Sequence, residues 1–226
     1  MSLSGRGAIA IWHDIAPEGR DTFYAWHGRE HMPERGRIPG FLRGRRYAAL
    51  SGAPEYFNLY ETATTAVLSG RDYLDRLDHP TPWTVATVKH FRNVARSLCE
   101  VAHTRGEGDG GMVATYRYDV APGRASAHRK RMRDAVDHRA DAPGIAGAHL
   151  LVADAAASAI ETAEKRARGS GTEIPNWIVL VESWGDADAF ETSSRAFARD
   201  AAFGDAVSVP DVAIYRLQNA RIGAAL

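Results

Sequence analysis

The sequence predicts an α+β fold made from two copies of one βαββαβ unit, because three segments of the first half return in the second. The offset between the copies is 105 residues for the first segment, 104 for the second and 121 for the third. The second copy therefore carries seventeen additional residues between its second and third segments. In chain order the pairs are DIAP (14–17) with DVAP (119–122), IPGF (38–41) with APGI (142–145), and PEYFNLYET (54–62) with PNWIVLVES (175–183).

The repeated segments mark the elements of the unit. DIAP and DVAP follow runs in which apolar and polar residues alternate, the pattern of a half-buried strand. A second strand follows IPGF and APGI, the third is the last repeated segment, and fourth strands are predicted near 95–102 and 211–218. Helical segments follow the first and third strands; Val67, Leu74 and Leu77 show helical spacing in the first copy. This order is the split motif of ferredoxin-like folds.

The pattern divides the chain into a first unit at 1–104, a joint at 105–111 and a second unit at 112–226. The joint, RGEGDGG, has four glycines in seven residues, which support neither a helix nor a strand. A four-stranded sheet with two helices on one face leaves its other face bare, so we expect the two sheets to pack face to face. The additional residues near 156–173 are expected to form a solvated excursion or a flap over the mouth of the resulting barrel.

Composition limits the classes of function. Of 226 residues, 45% are hydrophobic and 25% are charged, the values of an ordinary folded chain. Twenty-eight basic residues balance twenty-eight acidic ones, which disfavours nucleic-acid binding. The single cysteine, Cys99, excludes an intrachain disulfide, and no apolar run approaches the length of a membrane span. We expect a cytoplasmic protein with no nucleic-acid or membrane partner, and leave a homodimer open.

The stretch WHGREHMPERGRIPGF concentrates ionisable side chains. If residues 21–32 form a helix, Tyr24, His27 and His31 share one face, with Glu30 beside them. In the second unit the corresponding positions are apolar and form a packing face. In the first unit the same positions carry two imidazoles and a carboxylate, groups that are costly to bury unpaired. This indicates a functional site, with mutual pairing at a helix end as the alternative. The corresponding residues of the second unit are Met132, Ala135 and Val136.

The βαββαβ repeat, with a helix ending EHMPERGRIPGF that runs into an arginine-rich second strand, resembles the dimeric α+β barrel superfamily, and most of all its EthD-type members. The resemblance is clearest over 8–62 and weaker over 112–218. It implies two ferredoxin-like units that enclose a small-molecule cavity, here within one chain. Members of the superfamily include cofactor-free monooxygenases, polyketide cyclases, muconolactone-type isomerases and haem enzymes, so the resemblance implies a fold and leaves the reaction open.

The leading hypothesis is a cofactor-independent enzyme that transfers a proton on a carbonyl-bearing or aromatic small molecule, as an isomerase, cyclase or monooxygenase does. His31 or His27 is predicted to be the general base, because imidazole titrates near neutral pH, and Glu30 would orient it. Arg43 or Arg45 would stabilise an enolate-like oxyanion. Further substrate contacts are predicted for Tyr24, His13 and Glu61.

The repeat bears on the roles predicted for Glu61 and Arg45. Glu61 recurs as Glu182, which favours a structural role for both carboxylates, such as pairing with the arginines. Arg45 recurs as His149, which leaves Arg45 as a candidate anion binder. Alternation along the second strand places Phe41 on the face of Arg45, but it does not decide which face points inward.

Three alternatives stay open. A non-catalytic protein that holds a hydrophobic metabolite would have a cavity lined almost wholly by apolar groups. A haem protein would use one of the histidines as an axial ligand. Finally, His27, Glu30 and His31 spell H-x-x-E-H, the inverted zinc-peptidase signature, although that chemistry needs a further ligand and a longer helix than Pro33 favours.

Overall fold

A computed structural model describes residues 3–223 of the chain. The strands within this range are β1 (Gly7–Ile15), β2 (Phe41–Ser51), β3 (Tyr56–Thr62), β4 (Phe91–Gly106), β5 (Met112–Tyr118), β6 (Ile145–Ala153), β7 (Trp177–Ser183) and β8 (Asp211–Ile222). They form a closed antiparallel barrel in the order β1-β3-β2-β8-β5-β7-β6-β4. The predicted α+β barrel is confirmed.

The two halves of the barrel have the same strand order. The first reads β4-β1-β3-β2 and the second β8-β5-β7-β6, and the halves join where β2 pairs with β8 and β4 pairs with β6. Strand β4 has sixteen residues, enough to pair with β1 along its first part and with β6 along its last. Because β4 continues to Gly106, the connection between the halves is 107–111.

The helices cover the outside of the barrel. One continuous helix contains α1 and α2, and the additional residues of the second half form α6 and α7. Among the described residues, no helix is both long enough and apolar enough to span a membrane. The helices are α1 (Arg20–Trp26), α2 (Met32–Gly36), α3 (Arg71–Asp78), α4 (Pro82–Val88), α5 (Ala125–Ala140), α6 (Ala155–Ala159), α7 (Ala163–Arg168) and α8 (Ala187–Phe197).

Alternate residues of the strands point into the barrel and fill it. The Phe57 ring lies 4.9 Å from the Trp12 ring and 5.7 Å from the Tyr215 ring, measured between centroids. Leu151 and Leu180 of the second half pack against the same cluster. The expectation of a ligand cavity inside the barrel is therefore wrong for its centre, which is a close-packed core.

A buried ion cluster lies inside the barrel beside the 107–111 connection. Arg45 donates to both carboxylate oxygens of Glu182, at 2.8 and 3.0 Å, and lies 3.1 Å from Glu61. Arg43 donates to the same Glu61 through Nε at 2.7 Å. His149 Nε2 lies 3.4 Å from Glu182. The pairing of the two carboxylates with the arginines, which the repeat favoured, is present.

A bulge in β2 reverses the alternation of its side chains. The pairing of β2 with β3 shifts between Phe41 and Arg43. Phe41 consequently packs with Ile9 and Tyr60 on the helix side of the sheet, whereas Arg45 points into the barrel. The expectation that Phe41 and Arg45 share a face is wrong, because one added residue moves a side chain to the opposite face.

Replacing Glu182 by glutamine is expected to lower the free energy of unfolding by about 2–3 kcal/mol. Burial alone would raise the pKa of Glu182, but the hydrogen bond from His149 and the charge of Arg45 outweigh it and hold the pKa at about 2. Glutamine removes that charge and leaves the buried guanidinium of Arg45 less well paired. Urea unfolding followed by circular dichroism measures the loss.

The matched control is Glu55→Gln. Glu55 also pairs with an arginine, Arg20, but both side chains are more than one-third exposed. Water screens such a pair, so a loss below about 1 kcal/mol is expected. Equal losses in the two variants would contradict the stabilising role of the buried cluster.

Candidate functional site

The helix over residues 20–36 changes pitch in its middle. His27–His31 form a π turn, and the N–H of Met32 donates to the carbonyl of His27, five residues earlier. Pro33 follows at once. In a regular α-helix its ring would clash with the carbonyl four residues back, and the wider turn relieves that clash. The helix therefore does not pass Pro33 undisturbed, as the proline ring predicts, and it ends at Gly36.

The π turn brings three side chains to one face of the helix. His27, His31 and Arg35 are spaced four residues apart, and positions at this spacing drift around the axis of a regular α-helix. The wider turn offsets the drift, and all three residues line one cavity. Such turns occur frequently at functional sites.

The cavity lies between this helix and the outer face of the first-half sheet. Ile9, Ile11, Asn58 and Tyr60 form its floor, on the strand face opposite to the barrel core. Residues of α3, α4 and α7 close the remaining sides. The cavity has a volume of about 50 Å³. This is less than the roughly 150 Å³ cavity known to hold benzene, so an aromatic ligand enters only if a wall moves.

His27 is hydrogen-bonded through both ring nitrogens. Arg46 Nη1 lies 3.5 Å from Nδ1, and the Tyr60 hydroxyl lies 3.2 Å from Nε2. A guanidinium only donates, so Nδ1 accepts and the ring proton sits on Nε2, facing Tyr60. Burial, followed by the charge of Arg46, lowers the pKa of His27 well below 6.5. His27 is therefore a neutral, fixed imidazole.

His31 differs in having a nitrogen without a partner. Its ring packs 4.3 Å from the Trp26 ring and 5.4 Å from the His27 ring, between centroids. Its Nδ1 is buried and makes no hydrogen bond. Burial, followed by the charge of Arg35, lowers the pKa of His31 well below 6.5. Nδ1 of His128 is also unpaired, but His31 lines the cavity, so its unpaired nitrogen is a candidate contact for a bound molecule.

His13 lies behind the cavity floor. The Asn58 amide donates to His13 Nε2 at 2.9 Å, and the other end of that amide has no protein partner. The His13 ring lies 4.3 Å from the Phe91 ring. Burial lowers the pKa of His13 to about 3. His13 therefore orients Asn58, and Asn58 presents an unpaired polar atom beside the cavity.

The additional segment of the second half closes the cavity of the first half. Glu164 and Arg168 of α7 line it, and Glu164 accepts a hydrogen bond from Arg35 Nη2 at 2.7 Å. The N–H of Ala163 donates to Asp78 at the end of α3. The flap expected over the barrel mouth lies instead over the helical side of the first half, because its contacts are with α3, α4 and Arg35.

The structure separates the predicted site residues into three places. His27, His31 and, through Asn58, His13 meet at the cavity. Glu30 points away and accepts a hydrogen bond from Thr81 at 2.6 Å. The Tyr24 hydroxyl lies 2.8 Å from that of Tyr56, and its ring lies under Arg46, adjacent to the cavity residues. The remaining three lie inside the barrel, across the sheet from the histidines: Arg43, Arg45 and Glu61.

Several lining residues were missed by sequence reasoning. Arg35 follows His31 by four residues and would have been found had the helix been extended past Pro33. Asn58 and Tyr60 alternate along β3, a usable signal only once the inward face of the sheet is known. Glu164 and Arg168 carry no local signal, because their place depends on a contact between the two halves.

The equivalent face of the second half is a packing surface. Met132 and Val136 are fully buried among apolar side chains. His128, also fully buried, contacts the Tyr118 hydroxyl at 3.0 Å. The polar cavity face thus belongs to the first half.

The residues around the cavity do not fit zinc or haem. Within residues 3–223, no group of three or more His, Cys, Asp or Glu side chains is placed to hold a metal ion, and Glu30 of the H-x-x-E-H pattern points elsewhere. Both nitrogens of His27 are engaged, and a cavity of about 50 Å³ does not admit a macrocycle beside His31.

Solved structures match the chain over nearly its full length. An anthrone oxidase-like protein is 13% identical with a TM-score of 0.67, covering 100% of this chain and 97% of its own. A monooxygenase-like protein from Fusobacterium nucleatum is 12% identical with a TM-score of 0.59, covering 99% and 98%. A haem-binding protein from Thermus thermophilus is 12% identical with a TM-score of 0.51, covering 97% and 93%. This chain shares with these proteins a ferredoxin-like α+β barrel fold.

The sequence itself matches no known family model, and a search of curated proteins finds no match. The structural likeness, at these identities, establishes the fold alone. Chemistry must be argued from the cavity.

Proposed function

We propose that the chain is an EthD-like enzyme that removes a proton from a carbonyl-bearing or aromatic small molecule, with His31 as the proton acceptor. The observation that carries the proposal is the buried, unpaired Nδ1 of His31, a residue that lines the cavity. The name of the anthrone oxidase-like protein with the same fold agrees with such a substrate.

His31 suits this role because it is neutral and its ring is fixed. Its lowered pKa keeps the base form populated at neutral pH, although it also makes the ring a weak base. A negative charge that develops on the substrate beside the ring strengthens the base during the transfer. The Trp26 ring, packed against His31, holds its orientation.

Tyr60 is placed to stabilise the substrate oxyanion. Its hydroxyl accepts the Nε2 proton of His27, which leaves the hydroxyl proton free to be donated to an enolate oxygen. Burial raises the pKa of Tyr60, so the hydroxyl keeps its proton. The unpaired end of the Asn58 amide supplies a second polar contact. Arg43, Arg45 and Glu61 take no part in this scheme.

Such a reaction uses the chain's own imidazole, and in an oxygenase the carbanion then reacts with dioxygen. The cofactor-independent mechanism thus remains part of the proposal. The haem-binding protein of the same fold marks the alternative that the experiment must separate.

Anthrone is a suitable probe because its methylene protons are acidic and lie opposite a ketone. In D₂O under nitrogen, the protein is expected to exchange these protons faster than buffer does, as measured by NMR. In air, an oxygen electrode tests whether one O₂ converts the CH₂ group to C=O with release of water. Exchange no faster than with heat-denatured protein contradicts the proposal. Binding without exchange would favour a non-catalytic binding protein, and exchange that appears only after haem is added would favour a haem protein.

A further inference from the structure

The charges around the cavity are unequal. Three arginines line it, and Glu164 is the only acidic residue among the described lining residues. Arg35 is 3% exposed and is held by Glu164 at 2.7 Å and by Glu34 at 3.4 Å. Glu34 also pairs with Arg76. Three lining arginines thus share one lining carboxylate, that of Glu164.

The other two lining arginines have few strong contacts. Arg168 leaves its buried Nε without a hydrogen-bond partner, and one of its Nη atoms donates to the Thr172 hydroxyl. Arg96 donates to the Tyr73 hydroxyl at 2.7 Å. Both acceptors are neutral. Both arginines are half-buried, and half-buried cations whose hydrogen-bond acceptors are neutral favour a negatively charged ligand in the cavity.

We propose that the ligand is an aromatic anion, a carboxylate or a phenolate, whose charged oxygen takes the place of the Glu164 carboxylate between Arg35 and Arg168. Glu164 and Arg168 lie one turn apart on α7 and both line the cavity. Entry of the anion breaks the contact between Glu164 and Arg35, which is also a contact that holds α7 over the cavity. The Glu164 carboxylate therefore competes with the ligand for Arg35, and it also holds α7 over the cavity.

This inference rests on the proposed function for the location of the ligand, and it adds a link to the chemistry. An anion beside Arg35 offsets the charge that makes His31 a weaker base. A charged substrate would thus increase the basicity of the group that deprotonates it.

Isothermal titration with two probes of the same ring system tests the inference. 1-Naphthoate carries the anion, and 1-naphthylmethanol replaces the carboxylate by a neutral CH₂OH group. Either probe must displace α7, so the ratio of their dissociation constants cancels the cost of opening the cavity. The wild-type protein is expected to favour naphthoate by about tenfold or more.

Three variants complete the test. Glu164→Gln is expected to raise the preference for naphthoate a further tenfold or so, because it removes the competing carboxylate. Arg168→Gln is expected to lower the preference by a similar factor. Glu100→Gln is the control, since Glu100 is a half-exposed carboxylate that pairs with Arg129 and does not line the cavity; its ratio should stay at the wild-type value.

Equal affinity for the two probes, an unchanged ratio in Glu164→Gln, or no saturable naphthoate binding in the millimolar range would overturn the inference. The proposed function has a separate readout in the exchange of anthrone protons. If anthrone protons exchange but naphthoate is not preferred, only the proposal of an anionic ligand is contradicted. If naphthoate is preferred but anthrone protons do not exchange, only the proposed enzymatic function is contradicted.

Discussion

Replacing His31 by glutamine is expected to slow anthrone proton exchange by about 10² to 10⁴-fold, the usual contribution of a positioned general base. Glutamine has a similar reach and polarity but cannot accept a proton near neutral pH. The apolar contact with Trp26 would be partly kept, so the fold should survive. Exchange rates measured by NMR at equal protein concentration check the result, and urea unfolding verifies that the variant is folded.

Glu30→Gln is the matched control for this variant. Glu30 is the neighbour of His31 in sequence and was itself a predicted catalytic residue. Its carboxylate, however, accepts hydrogen bonds from Thr81 and Thr84 on the far side of the helix. Its exchange rate should stay within about twofold of wild type. A loss in Glu30→Gln as large as in His31→Gln would show that the helix, and not the imidazole, matters.

The strands could be predicted because each repeat carries its own evidence. PEYFNLYET and PNWIVLVES correspond to β3 and β7, and both strands are buried along their whole length. A segment found twice in one chain is constrained twice, so even short apolar runs can be assigned to strands. The order of elements along each half followed from the same repeats.

The site could be predicted only in part, for two physical reasons. Pro33 indicated that the helix would be disturbed, but not that a π turn would absorb the clash and bring Arg35 to the face of the histidines. Pitch changes of this kind leave no periodic signal in a short helix. The wall formed by Glu164 could not be predicted either, because its contact with Arg35 joins residues 129 positions apart.

The sequence pattern also could not predict which side of the sheet carries the cavity. Alternation assigns His13 and Asn58 to one face and Arg45 to the other, but either face could be the interior. Only the closure of the barrel determines which face is the interior. The large rings of Trp12 and Phe57 fill the inside, so the space for a ligand is between sheet and helices.

Acidification from pH 7 to pH 5 is expected to lower the free energy of unfolding by an amount on the order of 7 kcal/mol, because four histidines are buried in neutral form. Burial lowers the pKa of His13 to about 3 and that of His128 to about 4. His27 and His31 shift in the same direction. Below about pH 6.5 the unfolded chain binds protons at these residues and the folded chain does not.

The sign follows from that difference. The stabilisation is complete above about pH 6.5 and is lost progressively as the pH falls toward the folded-state values, at up to about 1.4 kcal/mol per pH unit for each histidine. Urea titrations at pH 7, 6 and 5 measure the slope. His128→Gln should reduce the slope of the unfolding free energy against pH by the contribution of about one proton. The control His138→Gln, at an exposed position, should leave the slope unchanged. A stability that is level between pH 7 and pH 5 would mean that the buried imidazoles accept protons in the folded state, and His31 would then be charged where the proposed reaction needs it neutral.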